Sequence, residues 1–148
     1  MMTRRAVLAA LAVTPFLARP AFAGRSEIFV ADGLAIGGMD PLGYVREGRA
    51  VAGQAAFALM WKDAVWHFAT AANRDLFEMN PKAHAPQYGG YCAYALAQGA
   101  LTASDPEVFT VLGGRIYLNE SAAIRDRWLA DAAMHIETAD ARWPEILR

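Results

Sequence analysis

Pro86-Gln87-Tyr88-Gly89-Gly90-Tyr91-Cys92-Ala93-Tyr94 contains the chain's single cysteine, set directly after a Gly-Gly pair and boxed by three tyrosines. Paired glycines let the backbone take positive φ and come close to a neighbouring element or ligand. The run from Cys92 to Gln98, rich in Ala and Leu, reads as a short helix that Gly99 ends. On that reading Cys92 lies on the first helical turn, where unpaired backbone N–H groups stabilise a thiolate. Two readings compete there. Cys92 is a reactive or metal-ligating sulfur, or it is a small buried hydrophobe.

The segments on either side supply the rest of the fold. Upstream, Asp40-Pro41 is a helix start, with Asp as N-cap and Pro at the first helical position, and Gly48 stops the helix after Glu47. Phe57 to Trp61 and Val65 to Phe68 form a hairpin across Lys62-Asp63-Ala64. In its second strand Val65 and His67 share one face and Trp66 and Phe68 the other. Thr70 caps a helix that runs to Met79, with Leu76, Phe77 and Met79 giving apolar contacts, and Asn80-Pro81 ends it. Downstream, Val108 to Leu112 and Arg115 to Leu118 flank Gly113-Gly114, a second hairpin signal. Ser121 then caps a long C-terminal helix whose Ile124, Trp128, Leu129, Ala132 and Ile136 face the core, while Arg125, Asp126, Arg127 and Asp131 face water. Two hairpins interleaved with helices predict a small single-domain α+β fold.

Residues 1–23 read differently. Arg4-Arg5 precede an apolar run, Ala6 to Ala18, of about 13 residues, against the about 20 that a membrane span needs. Ala21-Phe22-Ala23 is an A-x-A cleavage pattern, so this stretch is expected to be an export signal, and Thr3-Arg4-Arg5 also fits the twin-arginine pattern. The expected mature chain starts near Gly24 and is periplasmic or secreted, with no stable membrane span. Cleavage removes Arg4, Arg5 and Arg19 and no acid, which moves the formal net charge from −1 to −4. The absence of a Lys/Arg cluster argues against nucleic acid as a partner. One cysteine cannot close an intramolecular disulfide in an oxidising compartment.

The common catalytic templates are missing. The chain has no Gly-rich phosphate loop, no G-x-S-x-G, no H-E-x-x-H and no C-x-x-C-H. Enzymatic turnover is therefore not supported. His67, His84 and His135 are the available imidazoles, and a thiolate with an imidazole or a Met sulfur would suit Cu(I) or Zn(II).

The ordered set Ile36-Gly37-Gly38-Met39-Asp40-Pro41, Trp66-His67-Phe68-Ala69, Asn73-Arg74-Asp75-Leu76-Phe77, Tyr88-Gly89-Gly90-Tyr91-Cys92-Ala93, Leu118-Asn119, Trp128 and Trp143-Pro144 resembles exported YHS-domain-containing proteins. The resemblance covers essentially all of residues 24–148. It implies heavy-metal handling. It also implies thiols after the Asp-Pro and in and after the aromatic strand, where this chain has Leu42 or Gly43, Ala69 and Asn73 instead. Some members of the exported branch are similar to selenoproteins at the position of Cys92, which implies a working sulfur there.

Three functions follow as expectations. The first is a periplasmic metal-binding protein, for copper or zinc, with Cys92 as anchoring thiolate and His67 and Asp40 as further ligands. The second is a thiol redox protein in which Cys92 is the reacting group. The third is a non-catalytic module that binds a small ligand or a partner through an aromatic-lined pocket at the Gly-Gly pair, with Cys92 passive. The first is the leading expectation.

Overall fold

The Gly-Gly segment sits where the chain's halves meet, in a computed structural model that describes residues 24–148. The expected export signal lies outside the described residues. Among the described residues, no helix is long and apolar enough to cross a membrane. The elements in order are a two-residue ribbon β1 (Val30–Ala31) and β2 (Leu34–Ala35), helix α1 (Pro41–Arg46), hairpin β3 (Gln54–Trp61) and β4 (Ala64–Phe68), then α2 (Ala71–Met79) and α3 (Pro81–His84). A 3-10 turn over Gln87–Gly90 leads into α4 (Ala93–Ala97), hairpin β5 (Asp105–Leu112) and β6 (Arg115–Asn119), α5 (Ala122–Ala130) and α6 (Ala132–Arg142). Helices and antiparallel hairpins in these proportions make a small α+β fold.

Local chemistry places the helix starts. Asp40 Oδ1 accepts from Leu42 N at 2.8 Å, Thr70 Oγ1 from Asn73 N at 3.1 Å, and Ser121 Oγ from Ile124 N at 3.2 Å. Each satisfies a donor that the first turn leaves without an intrahelical acceptor. Lys62-Asp63 and Gly113-Gly114 form the two hairpin turns, and Lys62 and Asp63 both hold positive φ, as a two-residue turn matched to strand twist requires.

The long C-terminal helix is not what forms. It is two helices, α5 and α6, broken at Asp131, whose φ of −151° and ψ of 60° are not helical. Asp131 Oδ1 accepts from Met134 N at 3.4 Å, so the residue read as a solvated helix position caps a new helix instead. Side-chain facing within α5 also departs from the expectation. Trp128 is fully buried, but Leu129 is 48% exposed, and Arg125 turns inward to donate from Nη1 to Phe109 O at 3.5 Å. Upstream, Pro81 does not only end a helix; it also opens α3. Of the apolar residues expected to anchor α2, Phe77 alone is buried, while Met79 is 82% exposed.

Two apolar clusters fill the interior. Trp66, Phe68 and Phe77 centre the first, with ring centroids 5.0 to 5.1 Å apart along Trp66–Phe77–Phe68. Tyr88, Leu96, Tyr117, Trp128 and Ala139 centre the second. Arg142 of α6 ties the second cluster together by donating from Nη1 to Ala97 O at 2.7 Å, at the C-terminal end of α4.

Candidate functional site

The sulfur that was expected to anchor a site is sealed. Cys92 is 0% exposed and is the N-cap residue of α4, one position before the first helical turn. It makes no capping bond, and its Sγ donates to Asn119 Oδ1 at 3.5 Å. The backbone of Cys92 donates to Thr102 O at 3.1 Å and bridges Leu118 of β6. Cys92 is a joint between α4 and the second hairpin.

Asp40 is equally committed. It is 0% exposed, and besides the Leu42 N–H it accepts at Oδ2 from Ala69 N and from Asn73 Nδ2, each at 2.8 Å. Three donors tie α1 to the end of β4 and to α2. His67 lies on the opposite face of β4 from buried Trp66 and Phe68, half-buried beside Gly38 and Gly53. His84 lines a separate groove with Leu42 and Leu76, and His135 packs its ring on Tyr94 with centroids 5.2 Å apart. Among the described residues, no group of three or more His, Cys, Asp or Glu side chains is placed to hold a metal ion. Cys92, His67 and Asp40 are thus not brought together as one such group.

Asn119 was missed as a candidate and is the most constrained polar group of the second hairpin. It is 0% exposed, and Oδ1 accepts from Tyr94 N at 3.1 Å as well as from Cys92. Its Nδ2 is buried with no hydrogen-bond partner among the described residues. The Tyr94 N–H fixes which way the amide faces. The signal in the sequence was a polar residue directly after the apolar run Ile116-Tyr117-Leu118.

The Gly-Gly pair makes the surface feature. Tyr88 and Gly89 hold φ of 58° and 62°, outside the helical range, so the chain doubles back against the N-terminal segment. A Cβ on Gly89 would stand 1.8 Å from Glu27 O, and Phe29 N donates to Gly89 O at 2.9 Å. That contact is possible only without a side chain. Ser104 Oγ donates to Gly90 O at 2.6 Å, and the Tyr91 hydroxyl donates to Ser26 O at 2.8 Å, so the segment is held on all sides.

Beside it opens a cleft of about 430 Å³. Its floor is Ala85 to Gly89, and its apolar walls are Trp61, from the end of β3, and Trp143, after α6. Tyr88 also lines it, with its ring centroid 6.2 Å from that of Trp143. Lys62, Lys82 and Arg115 bring positive charge to the rim, and Glu27 and Asp140 bring negative charge. The Tyr88 hydroxyl donates to Asp140 Oδ1 at 2.9 Å. Burial, and then that bond to Asp140, push the Tyr88 hydroxyl well above the ordinary tyrosine range, so it stays a neutral donor. Concave shape, aromatic walls and a few convergent polar groups are what small-molecule sites have in common.

No family model matches the chain, and no curated protein or solved structure matches it. The resemblance to exported YHS-domain proteins therefore carries no part of the functional argument that follows.

Proposed function

We propose that this domain is a non-catalytic module that holds a small molecule in the cleft beside Gly89. The observation that carries the reading is the cleft itself: about 430 Å³, walled by Trp61, Tyr88 and Trp143 and floored by a segment whose conformation only the glycine permits. A cavity of that size matches the lower part of the range for drug-sized ligands. The role asks nothing of Cys92, in keeping with a sulfur that is 0% exposed and bonded to Asn119. The metal and thiol-redox readings each need an accessible or multiply liganded sulfur, and neither draws support from this geometry.

A ligand-observed NMR screen of a fragment library tests the proposal, run on the wild type and on Gln87→Trp. Gln87 lines the cleft and is half-buried, so the indole fills the space at little cost to the fold. Fragments that bind the wild type and are lost from Gln87→Trp support the reading. Fragments that bind both proteins equally, or no binders at all, contradict it.

A further inference from the structure

The charges around the cleft are unequally matched. Glu27 is taken by an ion pair with Lys62, and Lys62 also lies over the Trp61 ring with Nζ 4.9 Å from its centroid. Asp140 is taken by the Tyr88 hydroxyl. The ion pair neutralises Glu27, whereas the bond from a neutral hydroxyl leaves Asp140 its charge. Lys82 and Arg115 are exposed, and neither forms an ion pair among the described residues. They sit on opposite structural supports, Lys82 on α3 and Arg115 at the start of β6, and both reach the same cleft. A chain whose formal net charge is −1 therefore turns an excess of positive charge, three cations against two carboxylates, toward its aromatic-walled cavity.

Resting on the binding function proposed above, we infer that the ligand is an aromatic acid: a planar ring held against Trp143 and Tyr88, with its anionic group between Lys82 and Arg115. The division follows from the chemistry of each wall. Flat apolar surface favours stacking of a ring in offset or edge-on geometry. A guanidinium and an ammonium converging on one opening favour an anion, the Arg through paired N–H donors and the Lys as a point charge. The Tyr88 hydroxyl, whose proton is held toward Asp140, offers a ligand only an acceptor, so it suits a donor on the ring rather than the anionic group. A cationic ligand would meet the excess positive charge of the rim, and a neutral one would leave it unused.

Two fluorescent probes that differ only in the anionic group test this: anilinonaphthalene sulfonate and its neutral parent, phenylnaphthylamine. Each is titrated into the full chain and into Lys82→Ala/Arg115→Ala, with the Gly89 amide and Trp143 indole followed by NMR. Both substituted side chains are exposed and make no ion pair, so the variant folds as the wild type does, which its thermal midpoint verifies. The expected result is that the sulfonate shifts both signals, and that the double variant weakens it about ten-fold while leaving the neutral probe unchanged. Rising salt weakens the sulfonate alone. If both probes shift Gly89 and Trp143 and neither responds to the double variant, the aromatic-acid inference falls while the cleft remains a binding site. If neither probe shifts those two signals, the inference and the binding function fall together.

Discussion

Gly89 cannot be replaced without moving the N-terminal segment. An added Cβ would meet backbone, Glu27 O, at 1.8 Å, and the positive φ of 62° strains any L side chain. Gly89→Ala is therefore expected to lower stability by more than about 2 kcal/mol, read from denaturant midpoints. A loss within about 0.5 kcal/mol would mean that the segment lies elsewhere. Cys92 gives a second prediction at this scale. Because the side chain is 0% exposed, an aromatic disulfide reagent should leave it unreacted in the native protein and label it fully after unfolding. Rapid labelling of the native thiol would restore the redox reading. The sequence made both residues stand out, and it predicted the close backbone approach at the glycines. It could not say that the sulfur would face inward, because that depends on β6 bringing Asn119 to it from 27 residues away.

The elements whose signals are local are the ones the sequence yields. Asp40-Pro41, Thr70 and Ser121 cap where they were expected to, and Gly113-Gly114 turns the second hairpin, because each choice is decided within about four residues. The C-terminal helix shows where this stops. An Asp on a helical pattern reads equally well as a wet surface position or as a cap, and only packing on either side of Asp131 decides between them. Since its carboxylate accepts from Met134 N, Asp131→Ala should cost about 1 kcal/mol of stability. If the residue were instead a surface position in one continuous helix, Asp131→Ala would raise stability, Ala being the better helix former. The direction of the midpoint shift separates the two.

Across the whole molecule, buried tyrosines couple the fold to alkaline pH. Tyr44 is 1% exposed and its hydroxyl donates to Pro106 O at 2.6 Å; Tyr88 is 4% exposed and donates to Asp140. Burial is the main reason that both sit above the ordinary value of 10.0, with nearby carboxylates adding to it. A raised value means that the folded state holds the proton more tightly than the unfolded state. The resulting stability is complete below about pH 10 and is lost as pH rises beyond it. Denaturant midpoints should therefore fall steeply above about pH 10, and Tyr44→Phe should make the fall shallower from a lower starting stability. An unchanged slope in Tyr44→Phe would contradict the assignment.

The cleft also belongs to this scale, and its sequence legibility is correspondingly partial. An aromatic-lined pocket at the Gly-Gly pair was among the expected functions, since Tyr88 and Gly89 are adjacent in the chain. Its remaining walls were invisible there. Trp61 comes from the first hairpin, Arg115 from the second and Trp143 from beyond α6, so only the folded chain brings them to one opening. The positions of Asp40 and Cys92 were invisible for the same reason: each is drawn into a different hydrogen-bonded joint.

The most direct test of the binding function is an amide and indole shift map of the isotope-labelled protein titrated with its tightest-binding fragment. The account predicts saturable shifts that cluster on Trp61, Gly89 and Trp143, with Leu76 and His84 in the neighbouring groove unmoved. Shifts centred on Leu76 and His84, with Gly89 and Trp143 still, would contradict it.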